Sequence, residues 1–202
     1  MLKVLIATTN PGKFKEMQLV LDHLPLRILS LTDLNIDLDP EEHGATFAEN
    51  ALIKAKAYYE VLPDQLPVIA EDSGIIVDAL GDQLGVQTRR WGAGAQASDQ
   101  EWIDHFLDRM TDFPEPDQRR AHFVSHAVVY APHILPQPIS VQRRTSGTIT
   151  PDLEAEIEPG VPLSACFKPD GFDQVYSALP TATKNKISHR GKAMQALISK
   201  FI

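Results

Sequence analysis

The sequence lacks several residue patterns on which whole classes of protein depend. Its 202 residues include a single cysteine, Cys166, so neither an internal disulfide framework nor a cysteine-based zinc site can form. This cysteine usage suits a reducing compartment, and we predict a cytoplasmic protein. No apolar run approaches the length of a transmembrane helix, so no membrane partner is expected.

Basic residues are also scarce. The chain has 19 lysines and arginines against 27 aspartates and glutamates, which gives a formal net charge of −8. Duplex nucleic acid binds to basic surfaces, so we expect no such partner. A small polyanion can still bind where the few cations converge on one pocket. Hydrophobic residues make up 43% of the chain, and no compositional break divides it, so we predict one domain over residues 1–202.

The apolar patterns predict a mixed α/β fold with a long central sheet flanked by helices, and two lobes that enclose an active-site cleft. Two capping boxes, Thr46 with Glu49 and Ser98 with Glu101, mark the starts of two helices. The predicted strands cover residues 2–7, 26–29, 68–70, 75–77, 120–130 and 139–149, with a break at 71–74, and the predicted helices cover 14–21, 46–60, 98–110 and 188–202.

The segment from Thr8 to Lys13 joins the first strand to the first helix and is a candidate anion site. A helix N-terminus offers free backbone N–H groups and the positive end of a dipole. Gly12 allows a close approach of the backbone to a phosphate, and Lys13 adds a mobile charge. The alternative is an ordinary polar turn, since the Walker A spacing is absent. The segment consists of Thr8, Thr9, Asn10, Pro11, Gly12 and Lys13, whose first three residues would add neutral donors.

Adjacent carboxylates at a strand end form a second candidate. Glu71 and Asp72 point to opposite sides of an extended chain, so we expect one to face the cleft and the other a neighbouring element. A cleft carboxylate can hold Mg²⁺ or accept a proton from water. Glu42, which with Glu41 precedes the helix begun by Thr46, would add a second metal ligand if the fold brings it close. Solvated acidic turns are the alternative.

A basic run in an acidic protein forms the third candidate. It extends from Lys184 to Lys192 and contains Ser188, which can cap the last helix, followed by His189 and Arg190. Cations at a helix N-terminus oppose its dipole unless an anion lies between them, and this conflict indicates a nucleotide site. A solvated basic turn is the alternative. Lys54 lies on the same helical face as Asn50, where a lone lysine is more often solvated.

Together these patterns resemble the inosine triphosphate pyrophosphatase family over nearly the whole chain. Each motif is of moderate specificity, but their order and spacing are highly specific. The matching segments are Ala7-Thr8-Thr9-Asn10-Pro11-Gly12-Lys13, Glu42-x-Gly44-x-Thr46-Phe47, Ala70-Glu71-Asp72-Ser73-Gly74, Gly85-x-x-Thr88-Arg89-Arg90-Trp91, Lys168-Pro169-Asp170-Gly171 and Lys184-x-x-x-Ser188-His189-Arg190-Gly191.

The resemblance implies Mg²⁺-dependent hydrolysis of non-standard purine nucleoside triphosphates, such as ITP, dITP and XTP, to the monophosphate and pyrophosphate. It also implies a homodimer. Asp72 would be the proton acceptor and a metal contact, and Glu42 the second metal contact. The implied substrate contacts are the residues from Thr8 to Lys13 together with Lys54, Ser73, Lys184, His189 and Arg190.

One part of the family pattern is missing. Before Phe167 the family carries a Phe-Gly-Trp/Tyr-Asp-Pro segment that stacks on and recognises the base, and here residues 161–165 are Val-Pro-Leu-Ser-Ala. Loss of a stacking ring costs about 1–3 kcal/mol, and the rings of Phe172 and Tyr176 are the candidates to replace it. We therefore expect weaker or different base selectivity. The alternatives are a pyrophosphatase with another base preference and a nucleotide-binding protein with little catalysis.

Overall fold

The computed structural model describes residues 1–94 and 96–202 of the chain. Its described residues form one mixed six-stranded sheet with the order β2-β1-β3-β4-β5-β6. The strands are β1 (Leu2–Ala7), β2 (Leu26–Leu29), β3 (Val68–Val77), β4 (Arg120–Tyr130), β5 (Ile139–Ile149) and β6 (Phe167–Pro169), and the α-helices are α1 (Pro11–Leu21), α2 (Phe47–Val61), α3 (Asp99–Met110), α4 (Thr181–Ile187) and α5 (His189–Phe201). The predicted fold class is confirmed.

Strand β1 lies inside the sheet and pairs in parallel with β2 on one side and β3 on the other. Beyond β3 all pairings are antiparallel, including that of β4 with β5. Because side chains alternate along a strand, Val4 and Ile6 pack into a core with α1 and α5, while Leu5 and Ala7 pack into a core with α2. The two faces of the sheet are thus covered by different helices.

A third core forms around the far end of the sheet, where Ile75 and Val77 of β3 pack against α3, Phe167 and Tyr176. The long strands β3 and β4 contribute to this core as well as to the other two. The molecule therefore has two lobes that share strands, which is the arrangement expected from the sequence.

Both predicted capping boxes start helices. The Thr46 hydroxyl accepts from the Glu49 N–H at 3.2 Å, and the Glu49 carboxylate accepts from the Thr46 N–H at 3.1 Å. Ser98 and Glu101 make the same reciprocal pair at the start of α3. Each N-cap contributes about 1 kcal/mol to helix stability. Helix α2 is thereby fixed next to β3, where Asn50 in its first turn reaches Asp72.

The predicted break at residues 71–74 is wrong, because β3 runs unbroken through it. Every residue of β3 pairs with β4, from Val68 opposite Tyr130 to Val77 opposite Ala121. Polar residues can continue the strand here because distant side chains satisfy them inside the protein. Gly74, which in the sequence is typical of a turn, is needed here for close packing. A Cβ at this position would lie 2.5 Å from the Thr88 hydroxyl oxygen.

Two short elements were not predicted. Strand β6 has only three residues, and α4 has seven with no side-chain cap at Pro180. Neither is long enough to show a periodic pattern. Within the described part of the chain, no helix has the length and apolarity needed to cross a membrane.

Candidate active site

A cavity of about 480 Å³ is lined by residues of both lobes. Of the predicted site residues, all except Pro11 and Gly12 line it. The ones that do are Thr8, Thr9, Asn10, Lys13, Glu42, Lys54, Asp72, Ser73, Lys184, His189 and Arg190. The structure thus brings together residues that are up to about 180 positions apart in the sequence.

The start of α1 differs in detail from the expectation. The Asn10 side chain accepts from the Lys13 N–H at 3.0 Å and donates to the Gly160 carbonyl at 2.9 Å, so its amide is occupied by the protein itself. A Cβ on Gly12 would lie 2.6 Å from the carbonyl oxygen of Pro159. The glycine therefore permits a close approach to the 158–161 loop. Pro11 lines a second cavity, of about 460 Å³, next to the first.

Glu71 lies on the α1 and α5 side of β3, at 1% exposure. It accepts from the Ser125 hydroxyl at 2.8 Å, and Lys13 Nζ is 3.2 Å from its other oxygen. Burial alone would raise the pKa of the Glu71 carboxyl, but Lys13 and Arg190 together hold that pKa below its usual range. Glu71 is thus an anion that fixes two cations in the wall of the cavity.

Asp72 lies on the opposite side, facing α2 and the cavity, so the predicted divergence of the two carboxylates is what the structure has. It accepts from the Asn50 amide at 3.1 Å and from the Ser73 N–H at 2.9 Å. Burial raises the pKa of Asp72, and the nearby Glu42 carboxylate adds to this effect, while Lys54 opposes it. A cavity carboxylate with a raised pKa is a better proton acceptor than an ordinary aspartate.

Glu42 and Asp72 converge on one ammonium group. Lys54 Nζ is 3.1 Å from a Glu42 oxygen and 3.7 Å from an Asp72 oxygen. Within the described residues, no three His, Cys, Asp or Glu side chains converge on a possible metal position. Two carboxylates around a single cation position nevertheless suit Mg²⁺, which usually takes one or two protein carboxylates and completes its shell with water and phosphate oxygens. The donor set fits this ion.

The conflict at the start of α5 is resolved within the protein. The Ser188 hydroxyl caps the helix by accepting from the Gly191 N–H at 2.9 Å. The Arg190 guanidinium pairs with Glu16 and lies 3.4 Å from Glu71, so the anion inferred from the sequence is supplied by the chain's own carboxylates. Lys184 Nζ is 3.0 Å from Glu16 and 2.5 Å from Glu158.

His189 is not a cation, contrary to the expectation for this basic run. It is buried and stacks on Phe123 with ring centroids 4.6 Å apart and planes inclined by 9°. Burial, helped by Arg190, lowers the pKa of His189 to about 3. Its Nδ1 atom has no hydrogen-bond partner among the described residues. His189 therefore presents a neutral ring at neutral pH.

Two parts of the cavity surface have opposite character. We call Lys13, Lys54, Asp72, Lys184 and Arg190 the charged wall. The apolar wall consists of Trp102, Phe123, the 161–164 segment and Tyr176. Trp102, Leu163 and Tyr176 belong to the core of the second lobe, and Phe123 packs against it. Of the two rings proposed to replace the missing aromatic, Tyr176 lines the cavity, whereas Phe172 packs against that core.

The sequence analysis did not identify the partners of the cations. Glu16 lies one helical turn after Lys13, a spacing that places both on one face of α1 and was the available signal. Glu158 lies in an irregular acidic segment, where no local pattern indicates that it reaches Lys184. Arg89 and Arg90 also line the cavity but carried no assigned role.

The fold and the cavity define a class: α/β proteins whose shared sheet carries, between two lobes, a carboxylate pair surrounded by cations. Sequence and structure comparisons agree on the family within that class. The sequence model of the Ham1 family matches residues 4–200, and the chain belongs to this family.

Curated relatives match over almost their whole length. The chain is 38% identical over 199 residues to the dITP/XTP pyrophosphatase of Haemophilus influenzae, covering 98% of each chain. It is 38% identical over 200 residues to the dITP/XTP pyrophosphatase of Escherichia coli K12, covering 98% of this chain and 97% of the relative. A HAM1 protein from Coxiella burnetii superposes with a TM-score of 0.81 at 30% identity, over 100% of this chain and 98% of that one.

Proposed function

We propose that the chain is an enzyme that hydrolyses purine nucleoside triphosphates such as ITP, dITP and XTP to the monophosphate and pyrophosphate, and so cleanses the nucleotide pool. Relatives that match over nearly the whole chain carry the name dITP/XTP pyrophosphatase. The observation that carries the proposal is the position of Glu42 and Asp72 around one ammonium group at the edge of a cation-lined cavity.

The reaction requires a base, charge stabilisation and a site for the leaving group. A water oxygen bonds to the α-phosphorus, the bond from that phosphorus to the bridging oxygen of the β-phosphate breaks, and pyrophosphate leaves with the bonding electrons. The proton of the water passes to Asp72, whose raised pKa favours acceptance. Lys13 and Lys54 stabilise the negative charge that develops on the phosphate oxygens.

Mg²⁺ is the proposed cofactor, with Glu42 and Asp72 as its protein ligands. When bound, the ion neutralises phosphate charge and makes the α-phosphorus more electrophilic. A carboxylate that binds a metal ion tightly is a weak base, so the two roles assigned to Asp72 compete. A pH profile of kcat measured at limiting and at saturating Mg²⁺ distinguishes the two roles. If Asp72 acts as a free base, the pH at which kcat falls on the acidic side is the same at both Mg²⁺ concentrations, and if Asp72 binds the metal ion, that pH is lower at saturating Mg²⁺.

We also propose that the chain forms a homodimer, on the basis of the resemblance described above, and that it is cytoplasmic, on the basis of its single cysteine. Light scattering after size exclusion tests the dimer, and a monomer at micromolar concentration contradicts it. The proposed enzymatic function does not depend on this outcome.

The test is a pyrophosphate-release assay with ITP, XTP, dITP, the four standard ribonucleoside triphosphates and the pyrimidine deoxynucleotides, with and without Mg²⁺. Release that requires Mg²⁺ and is lost in Asp72→Asn supports the proposal. The asparagine keeps an oxygen to accept from Asn50, so the fold should persist. Asp64→Asn, at an exposed position, is the matched control and should retain activity. Absence of pyrophosphate release with every nucleotide would refute the proposed function.

A second candidate is a pyrophosphatase with another base preference. The observation in its favour is the apolar wall, where the 161–165 segment offers neither a ring nor a carboxylate. The same nucleotide panel separates the two candidates. A nucleotide-binding protein with little catalysis is a third candidate, and the presence of Asp72, Glu42 and Lys13 at one cavity speaks against it.

A further inference from the structure

Every cation of the charged wall is already paired with a carboxylate of the protein. These pairs reduce the positive charge that the wall offers to a polyanion, because each ammonium or guanidinium group faces a fixed negative charge. The pairs are Lys13 with Glu71, Lys54 with Glu42 and Asp72, Lys184 with Glu16 and Glu158, and Arg190 with Glu16 and Glu71.

Two arginines on the cavity surface differ from this pattern. Arg89 and Arg90 line the cavity, and neither forms a salt bridge within residues 1–94 and 96–202. Arg89 Nη2 donates to the carbonyl of Ala97 at 2.5 Å. The Arg90 side chain donates only through Nε, to the Gln87 side chain at 3.1 Å, as far as the described residues show. The terminal nitrogens of Arg90 are thus available to a ligand.

The turn that carries Arg90 is attached to β3 at Ile75, three residues after Asp72. The Thr88 hydroxyl accepts from the Ile75 N–H at 3.1 Å and donates to the Gly85 carbonyl at 2.6 Å. Gly74 approaches this hydroxyl so closely that no other side chain fits there. Arg90 therefore lies two residues after Thr88, whose hydroxyl is hydrogen-bonded to the strand that carries Asp72.

The turn is also held from its other side. Inside the turn itself, the Gln87 carbonyl accepts from the N–H groups of Arg90 and Trp91, both at 2.8 Å, and the outer attachment is made by Trp91. The Trp91 ring contacts Trp102 and Phe106 edge to face, with ring centroids 6.5 and 6.2 Å away. A guanidinium on a turn anchored at both sides can be oriented before the substrate binds, which is the condition for effective charge stabilisation.

We propose that Arg90 is a further catalytic residue, which contacts the β- and γ-phosphates of the bound nucleotide and stabilises the pyrophosphate as it leaves. This inference rests on the proposed function and names a contact at that site. A guanidinium is permanently charged and forms two parallel hydrogen bonds to phosphate oxygens, so it stabilises the departing anion without transferring a proton. Because Arg90 has no carboxylate to release first, its whole charge is available to the substrate.

The kinetic test compares three substitutions that each remove one positive charge. Arg90→Gln should lower kcat/KM for ITP by about 10²-fold, the usual effect of losing one donor to transition-state charge. Arg89→Gln should lower it much less, because that side chain already binds a backbone carbonyl. Arg27→Gln on β2, exposed and outside the cavity, should leave it within about threefold. A larger loss with Arg89→Gln than with Arg90→Gln would overturn the assignment.

Two further measurements separate contact with phosphate from a structural role. Guanidinium ion at millimolar concentration should restore part of the lost kcat to Arg90→Ala but not to Arg89→Ala. Calorimetric titration with inorganic triphosphate, which involves no hydrolysis of a nucleotide, should show weaker binding to Arg90→Gln by tenfold or more and unchanged binding to Arg27→Gln. If the wild-type chain releases no pyrophosphate from any nucleotide, the proposed function fails while this titration still tests Arg90. Equal binding by Arg90→Gln and wild type would refute the contact.

Discussion

The charged and apolar walls of the cavity differ in what holds their side chains in place. On the charged wall, Lys13 and Arg190 are held by the buried Glu71, and Lys54 is held by Glu42. On the apolar wall, Trp102, Phe123 and Tyr176 are held by packing in or against a hydrophobic core. The comparison shows that side chains of the charged wall are positioned by their ion-pair partners, whereas those of the apolar wall are positioned by close packing.

The largest expected effect is on the charged wall. Glu71→Gln removes the buried anion between Arg190, which is buried, and Lys13, which is partly exposed, so we expect the free energy of unfolding to fall by about 3–5 kcal/mol. Urea denaturation followed by circular dichroism measures this change. Glu60→Gln, at an exposed position of α2, should stay within about 0.5 kcal/mol of wild type. A loss below about 1 kcal/mol for Glu71→Gln would mean that the charged wall does not depend on this partner.

The apolar wall should limit base selectivity. The wall has no charged side chain, and its polar side-chain atoms are those of Trp102, Ser164 and Tyr176. Recognition that relies mainly on packing against the base discriminates by about 10²-fold, whereas a site that forms hydrogen bonds to the base reaches 10⁴-fold or more. We therefore expect kcat/KM for ITP and XTP to exceed that for ATP and GTP by no more than about 10². Inorganic triphosphate, which has no base, provides the reference for phosphate binding alone. A preference of 10⁴-fold would show that the apolar wall conceals a specific polar contact.

His189 lies where the two walls meet, next to Arg190 and stacked on Phe123. The pH dependence of the free energy of unfolding tests whether its ring is buried there. Its pKa is lowered from 6.5 to about 3, so the folded protein binds fewer protons than the unfolded chain between these values. Stability is therefore present above pH 6.5 and is lost as the pH falls towards 3, by at most about 1.4 kcal/mol per pH unit from this group. The slope of unfolding free energy against pH should be shallower in His189→Gln. An unchanged slope would place a titrating, solvated ring at this position.

The smallest expected effect concerns Glu158, which contacts Lys184 from the 158–161 loop and is partly exposed. Glu158→Gln leaves Lys184 with Glu16 as its partner, so pyrophosphate should bind more tightly, by up to about fivefold for a pair of this exposure. Glu156→Gln removes the same charge from the same segment without breaking an ion pair recorded among the described residues. Calorimetry with pyrophosphate compares them, and weaker binding by Glu158→Gln would mean that Glu158 orients Lys184 for the ligand.

Local signals predicted most of the fold. The capping boxes at Thr46 and Ser98 depend on residues three apart, and the alternation in β4 depends on neighbours, so both can be recognised in the sequence. The continuity of β3 cannot, because the burial of Glu71 depends on Lys13 and Ser125. Locally that segment has the composition of a turn, and only tertiary contacts make it a strand.

The same distinction applies to the candidate site. The sequence indicated that Lys13, Lys54 and Arg190 would lie at one site with Lys184, and all four line the cavity, but it assigned no role to Arg89 and Arg90. It did not indicate that Glu16 and Glu158 would pair with Lys184, or that the Asn10 amide would bind Gly160. It also assigned His189 a charge that burial against Phe123 removes. Partners across long sequence separations determine protonation and pairing, and no local pattern encodes them.

The unbroken strand β3 has a mechanical consequence. It crosses both lobes while it is hydrogen-bonded to β4 along its whole length, so a hinge within the sheet would have to break that ladder. The β3–β4 ladder therefore joins the two lobes rigidly, and we expect a ligand to enter and leave through movement of the loops at the edge of the cavity rather than of the sheet. The 158–161 loop, fastened by Asn10 on one side and by Asp99 on the other, is one of these loops.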